Sequence, residues 1–162
     1  MPSSDAPLLE VNDLATHYGP IQAIHSVSLE VHPGELVAIV GANGAGKTTL
    51  LRTISGIQAA SGGSIRFDGE EITRLAAHKI VARGVCQVPE GRQMFAPLSV
   101  DDNLRLGGYS QRKDGGWVEE KIRDYPLSPE HVSKVLCDSY LPSTKRLLLW
   151  NVVLCAGTVR VM

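Results

Sequence analysis

Hydrophobic and polar residues alternate in the first part of the chain. From Leu8 to Val11 every residue except Glu10 is apolar, and from Val27 to Val31 apolar residues alternate with Ser28 and Glu30. A period of two is typical of strands that bury one face. Pro33-Gly34 predicts a turn after them.

A continuous apolar run, Leu36 to Val40, precedes a glycine-rich segment and a helical pattern. Five consecutive apolar residues are typical of a parallel strand that is covered on both faces, so we predict a central strand. Leu50, Leu51 and Ile54 share one face of a helix, and Gly56 suits a left-handed C-terminal cap. The pattern predicts a strand, a loop and a helix in that order.

Shorter elements follow. Ser64 to Asp68 alternates, and Asp68-Gly69 is a hairpin signal that leads into Glu70 to Ile72. Ser61 to Ser64 is interpreted as another hairpin turn. The remaining predicted elements are a helix over Ala76 to Arg83, a buried strand over Val85 to Val88, and a helix with Ser99 as its N-cap and Asp101 and Asp102 in its first turn.

Size and composition limit the possible functions. The 162 residues suffice for one domain, and 16 Lys and Arg against 17 Asp and Glu give a net charge of −1. This balance provides no general attraction for nucleic acid or anionic lipid. The three cysteines form no CxxC pair, which favours a reducing compartment, and the N-terminus does not resemble a signal peptide. We therefore expect a cytoplasmic protein. Leu147 to Ala156 is too short to span a bilayer, so we expect membrane contact only through partners.

The glycine-rich segment from Gly41 to Thr48 matches the phosphate-loop motif GxxxxGK[ST] between the predicted strand and helix. Glycines let successive N–H groups face one concavity, and the helix start adds a partial positive charge. Lys47 would contact the β- and γ-phosphates of ATP, and the Thr48 hydroxyl would ligate Mg²⁺. The alternative is a glycine-rich turn that caps a helix. The predicted ATP-binding residues of the loop are Gly41, Asn43, Gly44, Ala45, Gly46, Lys47, Thr48 and Thr49.

With these motifs, Leu8 to about Leu106 resembles the ATP-binding subunits of ABC transporters, most closely those of branched-chain amino acid importers. Tyr18 is placed like the aromatic residue that stacks on adenine in this family, although a packed tyrosine is the alternative. Gln87 resembles the glutamine that contacts Mg²⁺ and the attacking water. The stretch from Val88 to Phe95 is similar to that of the importer subfamily.

The resemblance implies a fold and partners. The fold would be α/β, with a P-loop NTPase-like core, an antiparallel β addition and an incomplete C-terminal part. The partners would be transmembrane permease subunits and a second ATP-binding subunit, with the protein peripheral at the inner face of the membrane and no role for nucleic acid. Arg92, Met94 and Phe95 would face the permease; alternatively, Phe95 returns to the core.

Several family motifs are not recognisable in this chain: the LSGGQ signature, the Asp-Glu end of the Walker B strand and the switch histidine. Arg146 to Trp150 resembles a Walker B strand, but Trp150 and Asn151 stand where the family has carboxylates. We therefore predict no catalytic residue and negligible turnover. All five histidines are expected to be ordinary surface or packing residues.

The pattern changes near residue 120. We predict a partial ATP-binding domain over 1–120 and a non-matching tail over 121–162, which is disordered or follows a shifted reading frame. Without a Walker B strand, Leu36 to Val40 is expected to keep unpaired backbone groups and bare apolar surface. Leu147 to Cys155 is the alternative partner for that edge.

Three function hypotheses remain open at this point. The first is the family's role, an ATPase subunit that energises the import of branched-chain amino acids. The second is a truncated remnant that binds ATP weakly and does not hydrolyse it. The third is an unrelated phosphate-loop enzyme such as a small-molecule kinase, for which Tyr18 and the Val88 to Phe95 stretch would be coincidences.

Overall fold

Two four-stranded sheets and three helices make up the described part of the chain, which in this computed structural model comprises residues 6–88, 95–107, 147–150 and 153–156. The elements in chain order are β1 (Leu9–Tyr18), β2 (Ile21–Val31), β3 (Leu36–Ala38), α1 (Lys47–Ile54), β4 (Gly62–Phe67), β5 (Glu70–Glu71), α2 (Ala77–Arg83), β6 (Val85–Val88), α3 (Val100–Gly107), β7 (Leu147–Trp150) and β8 (Val153–Ala156). None of the described helices is long and apolar enough to cross a bilayer.

The chain divides into two units. Residues 1–87 and 144–162 form the first unit, and residues 88–143 form the second. The first unit contains both sheets apart from the end of β6, together with α1 and α2. The second unit contains α3. The predicted division at residue 120 stays a prediction.

The first sheet is antiparallel and has the strand order β2-β1-β4-β5. Leu9 lies opposite Val31 on one side and Phe67 on the other, and all three side chains are buried. The alternating pattern therefore placed the apolar face correctly. Asp68 and Gly69 have φ angles of 49° and 77° in the β4–β5 turn, as a two-residue hairpin turn requires, so the predicted hairpin is confirmed.

Helix α1 follows the glycine-rich segment, and its apolar face is the predicted one. Leu50, Leu51 and Ile54 are all buried. Gly56 has a φ of 74°, and a Cβ atom added to it would lie 2.7 Å from Ile80 Cδ1. The left-handed end of the helix is thus confirmed, and the close approach of α2 is a second reason for glycine at this position.

The second sheet has the order β3-β8-β7-β6, and the tail supplies its two middle strands. Strand β8 pairs antiparallel with β3, with Leu36 opposite Cys155 and Ala38 opposite Val153. The expectation that β3 would keep unpaired backbone groups was therefore wrong on this edge. Backbone N–H and C=O groups require partners, and the apolar tail segment provides them.

The expectation that β3 would be covered on both faces was also wrong. The strand ends at Ala38, and the side chains of Leu36 and Val40 are 68% and 91% exposed. Val37 and Ile39 do pack against the core. The apolar run indicates a strand of a parallel sheet between two helical layers, but here β3 is the terminal strand in the order and pairs with an antiparallel neighbour.

The predicted hairpin turn at Ser61 to Ser64 is wrong as well. Gly62 and Gly63 begin β4, where Gly62 lies opposite Ala15 and Ser64 opposite Asn12 on β1. Two adjacent glycines suggested a turn, but within a strand glycine also marks a bulge or a close backbone approach. Gly63 meets both conditions, since its φ is 79° and the backbone of β1 lies against it.

In the second unit, Ser99 caps α3 as predicted. Its Oγ accepts a hydrogen bond from Asp102 N at 3.1 Å and donates one to Asp102 Oδ2 at 2.7 Å. Asn103 is buried and binds both backbone polar groups of Phe95, whose own side chain is 62% exposed. The alternative in which Phe95 returns to the core is thus wrong. Arg92 and Met94 lie outside the described residues.

The core of the first unit draws residues from both sheets and both helices. Leu147 and Leu149 of the tail strand β7 are fully buried in it, and Leu147 N donates to Gly84 O at 3.1 Å. The buried apolar side chains are Leu8, Leu9, Val11, Leu14, Ile24, Val31, Leu50, Leu51, Ile54, Ile65, Phe67, Ile72, Ile80, Val85, Leu147 and Leu149.

We predict that Leu149→Ala lowers the free energy of unfolding by about 2–5 kcal/mol, because it leaves a cavity in this core. The matched control is Leu36→Ala in the same sheet, which should change it by less than about 0.5 kcal/mol since Leu36 is largely exposed. Urea unfolding followed by circular dichroism measures both. Equal losses would show that the tail strand does not occupy the core.

Candidate phosphate-binding site

The loop between β3 and α1 is shaped by two glycines with left-handed backbone angles. Gly44 has a φ of 84°, and Gly46, which precedes the first helical residue, has a φ of 87°. Residues with a Cβ atom rarely adopt these angles, so the glycines at these two motif positions are required by the chain path. The loop curls back before α1 begins at Lys47.

Gly46 is also required because another strand approaches it. A Cβ atom at this position would lie 2.8 Å from the carbonyl oxygen of Ala23 and 3.7 Å from Ile24 Cγ1. Ala23 has no partner of its own on β1, since the register passes from His17 opposite Gln22 to Thr16 opposite Ile24. The β-bulge on β2 thus brings a backbone carbonyl against the start of α1.

The N-terminus of α1 offers free hydrogen-bond donors. The first helical hydrogen bond runs from Leu50 N to Gly46 O at 2.8 Å, so the N–H groups of Lys47, Thr48 and Thr49 come before it. No side chain caps the helix, and its first turn contains no acidic residue. The positive end of the helix dipole is therefore not neutralised by the helix's own side chains, which suits an anion.

Lys47 places its ammonium group inside the loop. Its Nζ donates to the carbonyl oxygens of Gly41 and Ala42, both at 2.8 Å. These bonds close the loop on itself and use two of the three donors of the ammonium group. The cation, the orphan N–H groups and the curled backbone thus belong to one segment of nine residues, Gly41 to Thr49.

The other predicted loop residues lie around this segment. Ala45 N donates to Ala42 O at 3.2 Å, and the side chains of Asn43 and Thr48 are exposed. Thr49 O accepts a hydrogen bond from Thr53 Oγ1 at 2.8 Å within α1. Thr48, the predicted magnesium ligand, therefore has an exposed hydroxyl in the first turn of the helix.

A buried pair of hydroxyl groups joins α1 to β1. Thr16 Oγ1 and Thr53 Oγ1 lie 3.1 Å apart, and both residues are almost fully buried. Thr53 Oγ1 gives its proton to Thr49 O, so Thr16 Oγ1 is the donor in this pair, and both buried hydroxyls have partners. The pair sets the position of α1 along β1. Thr16, its member on β1, lies one residue before His17 and two before Tyr18.

Tyr18 ends β1, and its side chain is 41% exposed. It pairs with Ile21 across a turn in which Gly19 has a φ of 56°. Ala23, which contacts Gly46, is two residues beyond Ile21 on the same hairpin. The hairpin end that carries Tyr18 and the start of α1 therefore adjoin one another, and Tyr18 is not a core tyrosine.

Gln87 lies at the other end of α1. Its Oε1 accepts a hydrogen bond of 2.7 Å from Ser55 Oγ, and Ser55 is only 3% exposed. Ser55 follows Thr48 by seven residues, which is about 10 Å along a helix axis. Gln87 is thus hydrogen-bonded to Ser55, and its role as a magnesium ligand together with Thr48 stays a prediction. A buried serine hydroxyl needs an acceptor, and Ser55 Oγ has two within reach, the carboxamide of Gln87 and, at 3.2 Å, the carbonyl oxygen of Arg52.

The described histidines have local roles. His17 Nδ1 lies 2.7 Å from Ser61 Oγ, and His32 Nε2 lies 3.8 Å from Glu30 Oε2. His25 and His78 are exposed, and His131 lies outside the described residues. In the part of the chain that the structure describes, no group of three or more His, Cys, Asp or Glu side chains could hold a metal ion.

The motif identified the loop but not its supports. The carbonyl of Ala23, the Thr16–Thr53 pair and Ser55 all contact it or its helix, and none belongs to a recognisable motif. Some signal was available, because buried threonines on apolar faces need partners. The identity of those partners depends on strand register, which the local pattern does not give.

Proteins of one family are similar to this chain in sequence. A protein-family model described as "ABC transporter" matches residues 24–143. The branched-chain amino acid transport ATP-binding protein BraG of Pseudomonas aeruginosa is 48% identical over 112 residues, which are 69% of this chain and 48% of BraG. LivG of Escherichia coli, with the same description, is 34% identical over 67% of this chain and 43% of its own length. The chain spans less than half the length of these two relatives.

Solved structures give the same fold. An ATP-binding cassette of an ABC transporter superposes with a TM-score of 0.54 at 28% identity, covering 65% of this chain and 41% of its own. CbiO1 of Clostridium perfringens, part of the ABC transporter complex cbiONQ, gives 0.63 at 22% identity, covering 89% and 65%. The predicted fold class is thus confirmed. With a family match over most of its length and the phosphate-loop geometry in place, the chain belongs to the ABC transporter family as part of an ATP-binding domain.

Proposed function

We propose that this chain binds the triphosphate of ATP at the loop from Gly41 to Thr49. The observation that carries the proposal is the convergence of the Lys47 ammonium group with the orphan N–H groups that start α1. When a polyphosphate arrives, its oxygens can replace the carbonyls of Gly41 and Ala42 as acceptors for Lys47. Charge-assisted hydrogen bonds of this kind are stronger than the neutral ones they replace.

We assign the base of the nucleotide to Tyr18 and the magnesium ion to Thr48. Tyr18 is exposed next to the loop, and a flat ring suits the face of a purine. Mg²⁺ prefers oxygen ligands, and the Thr48 hydroxyl is an exposed oxygen beside the anion site. Bound Mg²⁺ would neutralise phosphate charge. Gln87 has a structural role in this proposal, because its carboxamide binds Ser55 at the far end of α1.

For the whole assembly we propose an importer of branched-chain amino acids. BraG and LivG carry that description, and the Val88 to Phe95 stretch resembles this subfamily. Permease subunits and a second ATP-binding subunit would be its partners at the inner face of the membrane. The exposed Phe95, whose backbone Asn103 fixes, suits an apolar contact with a permease.

A second candidate is nucleotide binding without hydrolysis. If Arg146 to Trp150 is compared with a Walker B strand, which it resembles, Trp150 and Asn151 stand where the family has the carboxylates that hold Mg²⁺ and orient the attacking water. Neither residue can act as a general base, which typically contributes about 10²- to 10⁴-fold in rate. In this second function the phosphate loop binds ATP in the same way, and only the hydrolysis of ATP is lacking.

We predict that Lys47→Ala weakens MgATP binding by about 10- to 100-fold, because one charged hydrogen-bond donor is removed from the loop. The control is Lys79→Ala, which removes an exposed lysine of α2 and should leave the affinity unchanged. Titration with a fluorescent ATP analogue measures both. A phosphate-release assay on the wild-type chain separates the two candidates, since steady turnover would exclude binding without hydrolysis.

We predict that Gly46→Ala lowers both the affinity for ATP and the free energy of unfolding, and by more than the strain of a positive φ angle alone would lower them. Gly34→Ala is the matched control, since Gly34 has a φ of 82° with open space around it, whereas Gly46 also meets the Ala23 carbonyl. Gly34→Ala should lose about 1 kcal/mol of unfolding free energy and no ATP affinity. Equal behaviour of the two variants in urea unfolding and ATP titration would contradict the close approach.

We predict that Gln87→Leu lowers the free energy of unfolding by about 1 kcal/mol, the value of one hydrogen bond, without changing the magnesium dependence of ATP binding. Ser55→Ala in the Gln87→Leu background should cause little additional loss, because both partners are then apolar. Thermal unfolding and ATP titration at several Mg²⁺ concentrations test this. A raised magnesium requirement at unchanged stability would instead identify Gln87 as a ligand.

A further inference from the structure

Three residues with left-handed backbone angles lie side by side across the first sheet. They are Asp13 on β1 with a φ of 47°, Ser26 on β2 with 122°, and Gly63 on β4 with 79°. We call them the kink residues. Such angles are uncommon within regular strands, and residues held in sparsely populated backbone regions cluster at functional sites.

The kink residues mark a change of register in both strand pairs. Between β1 and β2, Asn12 and Asp13 together face Ser28, and Ser26 is then left without a partner on β1. Between β1 and β4, the register passes from Asn12 opposite Ser64 to Ala15 opposite Gly62. Bulges on adjacent strands bend a sheet and increase its local twist.

Side-chain hydrogen bonds hold the bend in place. The Asp13 carboxylate accepts from Ser26 Oγ at 3.0 Å, and Asp13 N donates to Ser28 Oγ at 2.9 Å. Both bonds join β1 to β2, and all three residues are exposed. Polar contacts thus cross the exposed side of the bend, while Val11 and Leu14 on either side of Asn12 and Asp13 are buried in the core.

Gly63 completes the bend from the other side of β1. A Cβ atom at Gly63 would lie only 2.4 Å from the carbonyl oxygens of both Asn12 and Asp13. The displaced backbone of β1 therefore occupies the place of a side chain on β4. Glycine is the residue that permits both the angle and the approach.

Beyond the bend, the end of the β1–β2 hairpin lies on α1 and the segment that follows it. Thr16 meets Thr53, Gln58 Nε2 donates to His17 O at 3.0 Å, and Ser61 N donates to Ala15 O at 2.8 Å. The Ala23 carbonyl approaches Gly46 from β2. The direction in which the hairpin leaves the sheet therefore decides where its end meets the phosphate loop.

We propose that Asp13, Ser26 and Gly63 are positioning residues that set the Tyr18 end of the hairpin against the phosphate loop. The inference rests on the proposed ATP site, in which Tyr18 stacks on the base and the loop binds the phosphates. The kink residues then govern the base half of the site through Tyr18, and leave the phosphate half, formed by one continuous segment, largely unaffected. The hydrogen bonds that Asp13 and Ser26 make to one another and to Ser28 run between β1 and β2.

The test compares ATP with inorganic tripolyphosphate, which has no base. Asp13→Gly removes the carboxylate but keeps a residue that adopts the positive φ angle, so the strand path is not forced to change. Asp68→Gly is the matched control, because Asp68 has a φ of 49° in the β4–β5 turn, away from the bend. Isothermal titration calorimetry gives the affinity of each variant for both compounds with Mg²⁺, and circular dichroism verifies that each is folded.

We expect Asp13→Gly to weaken ATP binding about fivefold, the effect of one lost hydrogen bond, and to change tripolyphosphate binding by less than about twofold. Asp68→Gly should change neither affinity. In a Tyr18→Ala background, Asp13→Gly should have no further effect on ATP, since the residue it positions is already absent.

The inference is overturned if Asp13→Gly weakens ATP and tripolyphosphate equally, if it weakens neither, or if its effect on ATP persists in the Tyr18→Ala background. In each of these cases the wild-type chain still binds ATP, so the proposed function survives. A wild-type chain that binds neither compound overturns the proposed function and this inference with it.

Discussion

The contact that sets the β1–β2 hairpin against the loop is between two backbones: the carbonyl of Ala23 lies where a side chain of residue 46 would be. Glycine at 46 lets β2 approach the start of α1, and the left-handed angle of the same residue turns the loop into the helix. Lys47 can then reach back to Gly41 and Ala42 while its own N–H joins the helix start. The loop, the start of α1 and the neighbouring hairpin thus meet at Gly46, where the closest approach is to a backbone carbonyl.

Backbone hydrogen bonds to β8, rather than burial on both faces, hold β3 in the second sheet. Strand β3 carries the loop, yet Leu36 and Val40 are exposed, so apolar packing on both faces does not hold it. Its backbone pairs with β8, and β7 next to β8 buries Leu147 and Leu149 in the core. The root of the phosphate loop is therefore stabilised by main-chain bonds to a strand whose neighbour supplies the hydrophobic anchoring.

Local patterns predicted local structure well and non-local structure poorly. The face of α1, the cap at Gly56 and the Asp68-Gly69 hairpin each follow from a few adjacent residues, and each was predicted from them. The exposure of β3 depends on which strands lie beside it, and Gly62-Gly63 depends on the bend in β1. The loop was located by its motif, but Gln87 was assigned by resemblance alone, and a buried serine at the far end of α1 binds its carboxamide.

Binding and hydrolysis make different demands on a chain of this kind. The groups that suit a triphosphate come from one continuous segment, because a curled loop, a helix start and one lysine are adjacent in sequence. Carboxylates that ligate Mg²⁺ and orient water must be brought to that segment from elsewhere in the fold. The position of residues that lie outside the loop depends on strand geometry. The bend at Asp13 and Ser26, for example, directs the hairpin end that lies beside the loop. The groups that hold a triphosphate are therefore adjacent in sequence, whereas the groups that cleave it must be assembled from separate parts of the chain.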